Sequence, residues 1–96
     1  MSTITFFTIH RGLPRPLTQG ALEMFSSQTG NAFYISTDPR LLIVALQDEA
    51  TTTLFRTYME ARDVDFTETT EQPEGVEFRL YLVVDPLAIF AELFGF

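Results

Sequence analysis

Neither cysteine nor lysine occurs in this chain of 96 residues, and histidine occurs once, at His10. Without cysteine there is no disulfide scaffold, no thiolate metal site and no cysteine nucleophile, a usage that suits a reducing compartment. A lone histidine cannot make an ordinary zinc site, and no serine stands in an obvious relay with it and an acid. Basic residues are scarce: six, all arginine, against thirteen acids, for a formal net charge of −7. So acidic a chain repels the phosphates of nucleic acid, which excludes direct nucleic acid binding.

Long apolar runs are also missing. The N-terminal "MSTITFFTIHRG" has no basic segment leading into an apolar stretch, so it does not read as a secretory signal. One strongly apolar stretch is "DPLAIFAELFGF", residues 85–96, in which Glu92 is the only charge after Asp85. As a helix, residues 86–94 would extend about 14 Å against a hydrocarbon core of about 30 Å. It carries no Lys or Arg with which to anchor at an interface. The expectation is a cytoplasmic protein with no membrane partner.

What is present is enough apolar material for one core: 46% hydrophobic residues, ten of them Phe. That composition and length predict a single domain over residues 1–96. Residues 3–9, "TITFFTI", are good strand formers. "HRGLPRP" interrupts them with two prolines and a glycine, and a helix follows from about Thr18, a capping residue, to Gln28, with Gly30 as its stop. Its buried side is read as Leu17, Ala21, Met24 and Phe25. "NAFYIS" and "LLIVALQ", separated by "TDPR", form a hairpin. Asp48 then caps a second helix with an apolar stripe of Leu54, Tyr58 and Ala61, flanked by Phe55 and Met59.

"EQPEG" reads as a turn joining a short acidic strand to a long one, in which Val76, Phe78, Leu80, Leu82 and Val84 alternate as the core face. Asp85-Pro86 starts a third helix. The order β-α-β-β-α-β-β-α predicts an α+β, ferredoxin-like (split β-α-β) antiparallel sheet. Two helices lie on one face, an acidic strand is added at the edge, and a short helix ends the chain. This is an analogy of topology and carries no function.

The first strand and "LLIVAL" are apolar on both faces, so something must cover the face away from the helices. Burying the four large residues of the tail is worth on the order of 6 to 12 kcal/mol, comparable to a domain's net stability of about 5 to 15 kcal/mol. The tail therefore packs on its own sheet, on a second copy, or on another protein. A two-fold homodimer would complete the second face through Phe7, Ile9, Leu42 and Val44, with Phe90 and Phe94 of the tail.

The charge is uneven. Residues 1–48 hold three acids and three arginines; residues 49–96 hold ten acids and three arginines. Between Glu60 and Glu77 seven acids face only Arg62, and six of them, Asp63, Asp65, Glu68, Glu71, Glu74 and Glu77, are the expected partner-binding surface. Their spacing does not fit a calcium loop, and no metal site is expected. His10, Arg11 and Arg15 border a stiff loop before a helix start, where an anion would be favoured, though the loop lacks any phosphate-binding fingerprint. No nucleophile or cofactor motif stands out, so neither catalysis nor a cofactor is expected.

These features predict a small acidic, non-enzymatic protein-binding module, an inhibitor or adaptor that occludes a basic surface of its target. Phage-type antagonists of host defence are one class of this kind. The alternative is a dimeric ferredoxin-like sensor or enzyme with a small-ligand pocket near His10, Arg11 and Arg15.

Overall fold

Strand β1, Thr5–Arg11, forms where the threonines, phenylalanines and isoleucine place branched or aromatic side chains on both faces of a pleated backbone. The computed structural model describes residues 3–38 and 40–94; Pro39 of the expected turn and the last two residues of the tail lie outside them. Thr18 caps α1 (Gln19–Phe25), its Oγ1 accepting the Ala21 N–H at 3.1 Å. This helix ends before Gln28. Ser26 directs both its N–H and its hydroxyl to the Glu23 carbonyl and is itself extended, so the chain passes directly into β2, Ser26–Ser36. The buried anchor of α1 is Leu22, whereas Met24, expected inside, is 80% exposed.

Strand β3 (Leu42–Leu46) pairs with β2 as the expected hairpin. In α2 (Glu49–Ala61) the Asp48 carboxylate accepts the Thr51 N–H at 2.8 Å. The buried stripe of α2 is Thr51, Thr52, Phe55 and Met59, so the expected flanking residues Phe55 and Met59 form its centre, and the stripe is rotated away from Leu54, Tyr58 and Ala61. Strands β4 (Asp65–Thr69) and β5 (Phe78–Val83) follow, and Asp85 starts α3 (Pro86–Phe94) by accepting the Leu87 N–H at 3.2 Å.

The protein is α+β, with one five-stranded antiparallel sheet in the order β4-β1-β3-β2-β5 and three helices, an arrangement compatible with a ferredoxin-like fold. The main core joins Leu22 of α1, Phe55 and Met59 of α2, and Ile89, Phe90, Leu93 and Phe94 of α3 to one sheet face, formed by Phe7, Ile9, Phe33, Ile35, Val44, Leu46, Tyr81 and Val83. All three helices therefore share that face, one more than expected. Aromatic rings bind the layers: Phe55 lies 5.3 Å from Phe7 and from Phe90, and Tyr58 stacks on Phe94 at 5.7 Å. The tail is thus part of its own chain's core.

Two expectations are corrected by the strand order. Strands β4 and β5 do not form a hairpin; they occupy opposite edges, and residues 70–77 cross the sheet between them. The crossing seats Val76 and Phe78 on Phe6, Ile43 and Ala45, a second, smaller cluster on the face without helices. That segment, and not α3, covers the second face. The alternation of β5 is also inverted: Tyr81 and Val83 point into the helix-side core, while Leu80 is 50% exposed and Val84 61%.

Candidate functional site

The six acids singled out from the sequence are divided by the sheet. Along β4, Phe66 packs near Phe7 on the helix side, and Glu68 shares that side because residues two apart do. The Glu68 carboxylate receives two hydrogen bonds from Arg56 of α2, at 2.6 and 2.7 Å. These bonds hold its carboxyl below the usual glutamate value and push the guanidinium of Arg56 up. Glu68 is therefore a bidentate partner within the fold and not a free surface charge.

Asp65 and Thr67 face the other way. Thr67 Oγ1 lies 2.9 Å from His10 Nε2, and Asp65 lies 3.8 Å from Arg11. A bulge in β1 between Ile9 and Arg11 sets Arg11 opposite Asp65. Asp63 is exposed at the turn after α2, with a left-handed backbone (φ 59°) that acidic and amide residues tolerate better than most.

Glu71, Glu74 and Glu77 lie on the crossing segment, all exposed, and none takes part in an ion pair among the described residues. Local backbone bonds shape this segment: the Glu71 N–H meets Thr69 Oγ1 at 3.1 Å, and the Glu77 carbonyl accepts the Thr37 N–H at 3.0 Å. Gly75 turns the chain at φ 72°, with open space where a Cβ would stand. Three uncompensated carboxylates are thus displayed over the open sheet face, with Asp65 on that face at the β4 edge.

His10 and Arg11 line an open cleft of about 750 Å³ with Ile9, Leu17, Ile35 and Leu42, and Arg40 joins them on its border. Arg15 does not belong to it: its guanidinium bonds Glu92 of α3 at 2.6 Å. Sequence reasoning missed Arg40, which lines the same cleft as Arg11 only because the β2–β3 turn folds to that end of the sheet. The N–H and side chain of Arg40 bond the Asp38 carboxylate and hold its carboxyl below the ordinary value.

The residues expected to self-associate are elsewhere. Phe7, Ile9, Val44, Phe90 and Phe94 are buried in the helix-side core, and Leu42 packs against it. A shift of one residue exchanges strand faces, so the open face instead carries Phe6, Ile43 and Ala45.

Among the described residues no group of three or more His, Asp or Glu side chains is placed to hold a metal ion. No helix among them is long and apolar enough to cross a membrane. Comparison of the chain with protein-family models, curated proteins and solved structures finds no match.

Proposed function

We propose that this chain is a non-enzymatic protein-binding module on a ferredoxin-like frame. In this reading β1-α1-β2-β3-α2-β4 is the split β-α-β unit and β5-α3 is an addition at the opposite edge from β4. The strand order and the all-antiparallel pairing support it.

The contact is the acidic open-face surface of Glu71, Glu74 and Glu77, flanked by Asp63 and Asp65. One observation carries this reading: the three glutamates have no cationic partner within the described chain and are held on a segment anchored by Val76 and Phe78. The complement is a protein with a basic surface, and an inhibitor or adaptor that occludes a nucleic-acid-binding face is the most concrete version. A phage-type antagonist of host defence is one class with that property.

The test compares immobilised wild type with the triple variant Glu71→Lys, Glu74→Lys, Glu77→Lys in a lysate of the native host. Proteins retained by the wild type should elute as salt rises and should fail to bind the variant. Equal retention by both would remove this surface from the interface.

The cleft beside His10, Arg11 and Arg40 favours a second reading, a small-ligand sensor or enzyme. Its floor is apolar and its border carries Arg11 and Arg40, the latter bonded to Asp38 on the same border, so an amphipathic carboxylate or phosphate ester would compete for those guanidinium groups. A panel of such anions that raises the melting temperature of the wild type, but not of Arg11→Ala, would support it.

A further inference from the structure

The three helices cover one face of the sheet, and the crossing segment covers only part of the other. Residues 70–77 lie over Phe6, Ile43 and Ala45 of β1 and β3, whereas on β2 and β5 the same face stays open. There Leu80 is 50% exposed, and Ala32, Tyr34 and Leu82 are half-buried. The ladder sets Ala32 beside Leu82 and Tyr34 beside Leu80, so the four form an uncharged strip two strands wide. Arg79, the one charge of β5, turns to the helix side, 3.9 Å from Glu23. An antiparallel sheet face that meets water is ordinarily polar, and an apolar strip beside a polar rim marks an interaction site.

The strip has one wall. A groove of about 320 Å³ lies between Gln72 and Val76 of the crossing segment and Phe6, Tyr34, Ala45 and Phe78 of the sheet. The segment that forms this wall also carries Glu71, Glu74 and Glu77, exposed and outside every ion pair among the described residues.

We infer that this strip receives a basic amphipathic helix of the partner protein, with its apolar side on Tyr34, Leu80 and Leu82 and its cations toward Glu71, Glu74 and Glu77. The inference rests on the acidic-surface reading above and names the kind of segment that meets that surface.

Backbone pairing, width and charge select this occupant. Strand β2 pairs with β3 on one side and β5 on the other, and Ser26 takes Val83 at the edge of β5. An extended segment laid on this face would find no partners for its own N–H and C=O groups, whereas a helix satisfies them internally. Two strands about 4.8 Å apart present a strip about 10 Å wide, the diameter of a single helix. A second copy, with its net charge of −7, would bring acids to acids, while a cationic flank complements the three glutamates.

Calorimetric titration with three synthetic peptides of about 18 residues, five helical turns, tests this. The first carries leucines at i, i+3, i+4 and i+7 with arginines beside them; the second has the same composition with that spacing scrambled; the third has glutamate for each arginine. The protein should bind the first at least about tenfold more tightly than either of the others, and the bound peptide should gain helical circular dichroism. Leu80→Arg and the triple variant Glu71→Lys, Glu74→Lys, Glu77→Lys should each weaken that binding by about tenfold or more and keep the wild-type melting transition. If Leu80→Arg unfolds, Leu80→Gln decides. Equal binding of the first and second peptides, or binding that survives Leu80→Arg, means that charge alone is read; it overturns the helix and leaves the acidic surface standing. Binding that survives the triple variant overturns both. No binding of the first peptide overturns the inference, while the lysate comparison above still decides the acidic surface.

Discussion

At Gly30 the distance to a neighbouring backbone decides which residue the chain can use. A Cβ there would stand 2.5 Å from the Val83 carbonyl carbon and oxygen, and φ is 135°. Gly30→Ala should therefore lower stability by more than about 1 kcal/mol, read as a fall in the urea midpoint at constant slope. Tyr81 shows the opposite case. Its hydroxyl is buried without a protein partner, so Tyr81→Phe should leave stability unchanged or raise it by up to about 1 kcal/mol in the same assay. The Arg56–Glu68 pair makes a pH prediction. Because the folded Glu68 carboxyl is held below its unfolded value, the pair's contribution is whole above about pH 4.3 and is lost as pH falls through the lowered folded value. Unfolding free energies of wild type and Glu68→Gln should thus converge on acidification; parallel curves would show that the pair is not coupled to folding.

At the scale of elements, α3 is a structural member of the core. Phe90 is fully buried with rings of Phe33, Phe55 and Tyr58 within about 6 Å, so Phe90→Ala should cost about 3 to 5 kcal/mol. Ending the chain after Asp85 would strip four buried side chains from that core and should abolish the sharp thermal transition, whichever face the tail covers. The helices show how stripes are chosen. In α2 the threonines Thr51 and Thr52 are buried because the Asp48 side chain and carbonyl accept their hydroxyls at 2.8 and 2.7 Å, which frees Leu54 to face outward.

For the whole molecule, the relevant quantity is where the net charge of −7 is left without counterions inside the fold. Five of the arginines pair with Asp65, Glu92, Asp38, Glu68 and Glu23, while the crossing segment receives none of the described ion pairs. Reversing Glu71, Glu74 and Glu77 should for that reason leave the thermal midpoint within a few degrees of wild type, since exposed charges contribute little to stability. Reversing Glu68 should lower it, because a lysine there would face Arg56.

The sequence by itself determined the elements. Eight segments, their caps at Thr18, Asp48 and Asp85, and the α+β class follow from local chemistry: side-chain acceptors before helices, branched and aromatic residues in strands, proline at a helix start. The uneven charge and the need to cover two sheet faces were legible in the same way. Only the tertiary structure decided which residues meet. The "EQPEG" stretch has the composition of a tight turn, yet it belongs to a crossing between opposite edges, because strand pairing is a long-range choice that turn composition does not encode. The inverted face of β5, the withdrawal of Glu68 to Arg56 and the placing of Phe7 and Val44 under the helices share one cause. A strand's two faces differ by a single residue of register, and where both faces are apolar only packing against the helices selects between them.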